Sequence, residues 1–170
     1  MKLALKIAKW TLCIVIVLLI LVFNVPIPVR IETTALEIIY TNPDHLEERT
    51  VIIQGWYHLN IREPRHVFRG TFTVLEYPET HIEMHNRRLD LTPWFGNTRS
   101  GILFYPEYPY SLLDMMPFGI VYSGFLFRDT IIWVTSVHGT LSQAPLIVLG
   151  ATSHDDAVNR VKPFFYPALR

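Results

Sequence analysis

Between Lys9 and Arg30 the chain carries twenty consecutive uncharged residues, and positions 10–23 (WTLCIVIVLLILVF) are almost unbroken aliphatic. As a helix, about twenty residues rise about 30 Å, the thickness of a bilayer's hydrocarbon core. Pro26 and Pro28 are expected to stop that helix near Phe23 or Asn24. Lysine stems can snorkel to the interface, so the expected span lies within residues 4–24 and uses the lipid bilayer as its partner. Lys2, Lys6 and Lys9 precede the uncharged run, whereas Arg30 and Glu32 follow it. The positive-inside rule then places the N-terminus in the cytoplasm and the remainder outside, as a single-pass protein of the cell membrane. The alternative is a cleaved signal peptide. Against it, no Ala-x-Ala site follows the apolar run, and Thr33-Thr34-Ala35 stands too far downstream. Cys13, behind Trp10-Thr11-Leu12, is not in a lipoprotein box and reads as a small apolar residue in lipid.

This divides the chain into residues 1–31, a cytoplasmic tip and transmembrane signal anchor, and 32–170, an extracytoplasmic domain. Without the three N-terminal lysines, 12 basic residues face 15 acidic ones, and eleven of the twelve are arginine. Over the whole chain 15 basic and 15 acidic residues cancel, which argues against nucleic acid as a partner. A single cysteine excludes an internal disulfide framework and a cysteine-based zinc finger. With 13% aromatic residues and 12 prolines, neither a disordered tail nor a coiled coil suits the main body.

Short runs rich in β-branched and aromatic residues recur between clusters of Pro, Gly and Asn. They predict strands at 36–40, 50–58, 67–77, 100–105, 118–125, 130–137 and 146–149, with a weaker one at 88–91. Loops are expected at 42–44, 62–65, 93–97 and 106–117. In 67–77, Phe68, Gly70, Phe72 and Val74 share one face and Arg69, Thr71 and Thr73 the other, the pattern of a half-buried antiparallel strand. In 50–58, Val51, Ile53, Gly55 and Tyr57 alternate with Ile52, Gln54 and Trp56, which reads closer to burial on both faces. Gly55 and Gly70 inside strands signal bulges or close approach of a neighbouring backbone. After a short buried strand at 145–150 the period changes. Ser153 with Asp156 resembles a capping box, and Ala157, Val158 and Val161 form an apolar stripe that Pro163 should end. The expected fold class is α+β, mainly antiparallel β: an N-terminal transmembrane helix, then a β-rich outer domain of six to eight strands with one short C-terminal helix over 154–162.

Residues that could carry chemistry are few. If His81-Ile82-Glu83-Met84-His85 is extended, His81, Glu83 and His85 project from one face and could bind zinc. The spacing is not that of the helical metalloprotease motif, no fourth ligand is evident, and the plainer reading is the wet face of a strand or loop. No Gly-x-Ser-x-Gly elbow surrounds Ser123, and Ser153-His154-Asp155 reads as a helix start, since adjacent residues cannot converge as a triad. No phosphate loop or dinucleotide fingerprint occurs, so no cofactor is expected. The proline-stiffened aromatic stretch Tyr105-Pro106-Glu107-Tyr108-Pro109-Tyr110 offers Tyr105, Tyr108 and Tyr110 as a contact surface, because rings provide area at low entropic cost. The competing readings rest these rings, with those of Trp94-Phe95 and Trp56-Tyr57, on the lipid interface or fold them over the domain's own core.

The stretches Val51-Ile52-Ile53-Gln54-Gly55-Trp56-Tyr57 and Phe68-Arg69-Gly70-Thr71-Phe72-Thr73-Val74 resemble a pattern in small anchored proteins of Gram-positive bacteria. Gly101-Ile102-Leu103-Phe104-Tyr105, Phe118-Gly119 and Ile147-Val148-Leu149-Gly150-Ala151 before a short helix fit the same pattern. The resemblance covers about residues 36–162 and implies the architecture of a signal-anchored β domain, with no active-site residue attached. The expectation for function is a non-catalytic envelope protein whose outer domain binds a partner protein or cell-wall glycan. The alternative is a metal-dependent envelope hydrolase built on His81, Glu83 and His85.

Overall fold

The computed structural model describes residues 2–60, 63–81, 84, 88–94, 96–106, 115–135 and 144–165, the side chains of 2–5, 19–24, 106, 115–116 and 165 excepted. Helix α1 spans Lys2–Asn24. Eight antiparallel strands follow, each beside its neighbour in sequence, and they close into a barrel. They are β1 (Ile27–Ile39), β2 (Asn42–His58), β3 (His66–Val74), β4 (Arg88–Pro93), β5 (Arg99–Pro106), β6 (Met115–Ser123), β7 (Ile131–Val134) and β8 (Pro145–Leu149). Helix α2 (His154–Phe165) completes the order. The fold is thus mainly antiparallel β sheet with two helices. Among the described residues, no helix is long and apolar enough to cross a membrane.

Closure comes from β1 and β8, paired from Ala35↔Leu149 to Ile39↔Pro145. Pro28 is tolerated within β1 because that strand meets β8 only over 35–39. Residue 28 therefore has a ladder partner, Trp56, on one side alone. β1 begins at Ile27, so the boundary drawn from sequence at 31/32 falls inside a strand. The loop expected at 42–44 is also part of a strand, since β1 turns through Tyr40 and Thr41 and pairs Ile39 with Asn42.

Eight strands leave an interior that side chains can just fill. Here Tyr57, Phe68, Phe72, Leu89, Leu103 and Phe127 are among the buried residues that fill it. The expected β3 face is borne out, with Phe68, Phe72 and Val74 buried. β2 departs from expectation: Val51, Ile53 and Tyr57 point inward, while Gln54 and Trp56 stay exposed. The strand buried on both faces is β8, whose Ile147 and Leu149 line the barrel while Leu146 and Val148 pack under α2. Gly55 and Gly70 stand opposite one another. A Cβ on Gly70 would lie 2.6 Å from Gly55 Cα, so the two backbones meet where side chains would otherwise stand.

Ser153 caps α2, accepting from the Asp156 amide at 3.2 Å, and Asp156 accepts in return from the Thr152 amide at 3.0 Å. Ala157 and Val161 are buried against the β8–β1–β7 wall. The helix does not stop at Pro163 as its sequence suggests. The missing N–H removes one hydrogen bond in the last turn, and Phe164, whose ring is 6.0 Å from that of Tyr122, holds the turn against the wall.

Candidate functional site

At the barrel end holding the β1–β2 turn, Glu37 points into the interior and is 3% exposed. A lone carboxylate there would be costly, and this one is fully engaged. Arg49 Nε donates to it at 2.8 Å, the Tyr77 hydroxyl donates at 2.8 Å, and His45 Nε2 lies 3.2 Å away. Arg49 also bonds Glu47 and stands 5.5 Å from the Tyr77 ring centre. Burial works to raise the Glu37 carboxyl, but the hydrogen bonds from Arg49, Tyr77 and His45 outweigh it and hold the group below its ordinary value. Burial first, then the bond to Glu37, pushes the Tyr77 hydroxyl up. The result is an ionised carboxylate whose acceptor sites are occupied by the protein itself, a structural ion pair.

The opposite end, where β1 begins, is plugged by the β6–β7 connection. Phe127 enters the barrel and meets Phe68 edge-on at 4.9 Å and Tyr57 at 5.9 Å. It does so with φ 61°, next to Leu126 at 54°, in the left-handed region that non-glycine residues rarely occupy. Buried hydrogen bonds hold the turn: the Thr130 hydroxyl donates to the Phe127 carbonyl at 2.7 Å and pairs with Ser123 Oγ at 2.9 Å. Ser123, the last residue of β6, therefore uses its hydroxyl to hold this turn. Beside the plug, Tyr57 Oη and His66 Nδ1 share a hydrogen bond of 2.8 Å. Burial, with Arg99 adding its charge, pulls His66 down to about 4, and burial pushes Tyr57 up to about 12.

The outer wall carries two grooves. One, of about 1240 Å³, runs over β1–β4 and is lined by Arg30, Gln54, Trp56, Arg69, Thr71 and Arg88. The other, of about 840 Å³, runs over β4–β7, where Trp94, Ile102, Phe104, Ile120, Tyr122 and Trp133 meet a polar rim including Asp90, Thr92 and Ser100. Its floor is the barrel's shortest seam, β4 to β5, with two paired positions.

The residues singled out in the sequence fall elsewhere. His81 ends a 3₁₀ turn, Pro78–His81, rather than an extended run, and its Nε2 donates to the Leu75 carbonyl at 2.8 Å. Glu83 and His85 lie outside the described residues. Among the described residues, no group of three or more His, Cys, Asp or Glu is placed to hold a metal. Tyr105 requires a correction: it is 4% exposed, inside the barrel, and its hydroxyl donates to the Phe72 carbonyl. The reason is register, because β5 turns Leu103 and Tyr105 inward and leaves Ile102 and Phe104 outside. Tyr108 and Tyr110 lie outside the described residues. The Glu37 network and the Arg–Trp wall escaped the sequence reading. The one available signal was Glu37 at the position where alternation through β1 calls for an inward residue. The chain matches no family model, no curated protein and no solved structure.

Proposed function

We propose that the protein is a single-pass membrane-anchored module of the cell envelope. Its extracytoplasmic barrel binds a partner protein or cell-wall glycan without catalysing a reaction. The observation that carries the binding reading is the β4–β7 groove, where Trp94, Ile102 and Phe104 remain exposed on a barrel whose interior is filled by its own side chains. Contiguous exposed apolar surface of this kind marks interaction sites. Anchoring is supported by α1, in which Ile7, Trp10, Leu12 and residues 14–18 are exposed, as suits a helix whose surroundings are lipid. The lysines before the apolar run favour a cytoplasmic N-terminus.

Binding is tested with the full chain in nanodiscs, comparing the unaltered protein with Ile102→Asp/Phe104→Ser. Retention on purified sacculi, or crosslinking to an envelope protein, should fall at least about tenfold, the effect of losing about 1.4 kcal/mol of contact. Equal retention and equal crosslinking by the two proteins would refute the groove as the binding surface. Topology is tested by cysteine labelling at position 48 in a Cys13→Ala chain. Labelling in intact cells supports the outside placement, and labelling only after permeabilisation overturns it.

A further inference from the structure

Two residues separate α1, ending at Asn24, from β1, starting at Ile27. Pro28 therefore stands within about 14 Å of chain from the end of α1, four residues at full extension. Directly across the sheet from Pro28 is Trp56, across from Trp56 is Arg69, and across from Arg69 is Arg88. Arg30 faces Gln54 in the adjoining outward row. Trp56 is 52% exposed in the middle of this patch.

The charges here are incompletely matched. Arg88 bonds Asp90 at 2.8 Å and Arg65 pairs with Glu63, but Arg30, Arg69 and Arg128 make no ion pair with a described residue. Like charges directly opposite one another, as Arg69 and Arg88 are, are unfavourable in a sheet unless something else neutralises them. Around the corner, at the tip of the same end, lies a cleft of about 500 Å³. His66, Thr98, Arg99 and Arg128 line it, with Asp129 as its carboxylate. Phe125, 49% exposed, stands at its rim and meets Tyr57 ring to ring at 5.8 Å. Two guanidinium groups, Arg99 and Arg128, against the single carboxylate of Asp129 leave this tip with a net positive charge. The far end has the opposite character: Asp44, Glu47, Glu48, Glu76 and Glu79 are exposed there, around the buried Glu37 and its partner Arg49.

We infer that the barrel end joined to α1 seats on anionic phospholipid headgroups, with Arg30, Arg69 and Arg128 taking phosphate oxygens and Trp56 and Phe125 entering the headgroup layer. Aromatic rings favour that depth, and basic side chains beside a membrane span are drawn to anionic lipid. The acidic end is repelled by the same surface, so the barrel stands upright on its anchor. The inference rests on the anchor reading above.

The test uses the full chain with Cys13→Ala, reconstituted in vesicles of phosphatidylcholine with or without phosphatidylglycerol. Nitroxide labels are placed one at a time at Asn97→Cys beside the cleft, Glu48→Cys at the far end and Ile16→Cys within α1, and their depths are read by power-saturation EPR. With phosphatidylglycerol, label 97 should report the headgroup level and label 48 bulk water. Arg30→Gln/Arg69→Gln/Arg128→Gln, with an unchanged circular dichroism spectrum, should release label 97 to water while label 16 stays in hydrocarbon. Label 97 in bulk water with label 16 in hydrocarbon would overturn the docking and leave the anchor standing. Label 16 in water would overturn the anchor and the docking with it. Equal depth of label 97 in pure phosphatidylcholine would overturn the role given to anionic lipid. Release of label 97 by millimolar inorganic phosphate alone would assign the arginines to a soluble anion instead.

Discussion

Replacing Gly70 by alanine inserts a methyl group where two strands already touch. The added Cβ would lie 2.6 Å from Gly55 Cα and 2.9 Å from the Gln54 carbonyl carbon, with the Gln54 oxygen closer still. Ordinary contact begins near 3.4 Å, and every obstructing atom is backbone, so no side chain can swing aside. The β2–β3 ladder must open, at an overpacking cost of about 1–3 kcal/mol. Two weakened ladder hydrogen bonds add about 1 kcal/mol each, for a total of about 3–5 kcal/mol. Gly96→Ala is the control. Gly96 has φ +57° but nothing within 4 Å of an added Cβ. There, strain of about 1–2 kcal/mol is offset by about 0.4–1 kcal/mol from a less free unfolded chain. Urea unfolding of the full chain in detergent, followed by circular dichroism in the β region, gives both numbers. A loss at Gly70 no larger than at Gly96 would show that the Gly55–Gly70 contact does not shape the barrel.

The remaining expectations concern the interior and its titrating groups. Phe72→Ala and Tyr105→Ala should each cost about 3–5 kcal/mol in the same urea assay, as emptied aromatic core positions do. Tyr105→Phe should cost about 1–3 kcal/mol for the Phe72 carbonyl left without its donor, and a loss within about 0.5 kcal/mol would put Tyr105 back on the surface. Glu37→Gln breaks a buried ion pair and should cost about 3–5 kcal/mol at pH 7. Because the Glu37 carboxyl is held below its ordinary value, its contribution is present above about 4.3 and disappears as pH falls through the lowered value, so the Gln variant should lose the steep acid limb below that point. His66, held at about 4 against an ordinary value near 6.5, gives a second limb. The unfolded chain gains a proton first, so stability is full above about 6.5 and declines as pH falls to about 4, with His58 acting in the same direction. His66→Gln keeps a hydrogen-bonding group beside Tyr57 and should flatten most of that upper limb; an unchanged limb would refute the assignment.

Local features of this fold were legible wherever one residue and its near neighbours decide the outcome. The two-residue period of β3 told which face is core because Phe68, Phe72 and Val74 alternate with polar residues. The Ser153–Asp156 cap is four residues of local chemistry, and it formed as the sequence suggests. Features set by partners far along the chain were not legible. Closure of the barrel depends on β1 meeting β8, over a hundred residues away, and nothing in either strand names the other. Tyr105 was misplaced because its direction follows from the register of β5. A register shift between Leu103 and Phe104 accompanies it, and a one-residue slip would exchange the faces. Alternation through β1 turns Glu37 inward, but the groups that make a carboxylate tolerable there, Arg49, Tyr77 and His45, come from three other positions along the chain and converge on it only in the folded barrel.

The two ends and three walls of this barrel constrain where a partner can act. A ligand inside would have to displace Phe127, which is held by ring contacts with Phe68, Tyr57 and Phe72 and by the buried hydrogen bonds of Thr130. It would also meet at the far end a carboxylate already bonded by Arg49 and Tyr77. One wall, β8–β1–β7, is closed by Ala157, Val161 and the rest of the α2 stripe. A second, β1–β4, is arginine-rich and lies a few residues from α1. The third, β4–β7, keeps Trp94, Ile102 and Phe104 exposed across the β4–β5 seam. If the barrel stands on its anchor as proposed above, that third wall faces sideways along the membrane plane. A partner held there would then itself be at the membrane surface, which would favour another envelope-bound component over a freely diffusing ligand.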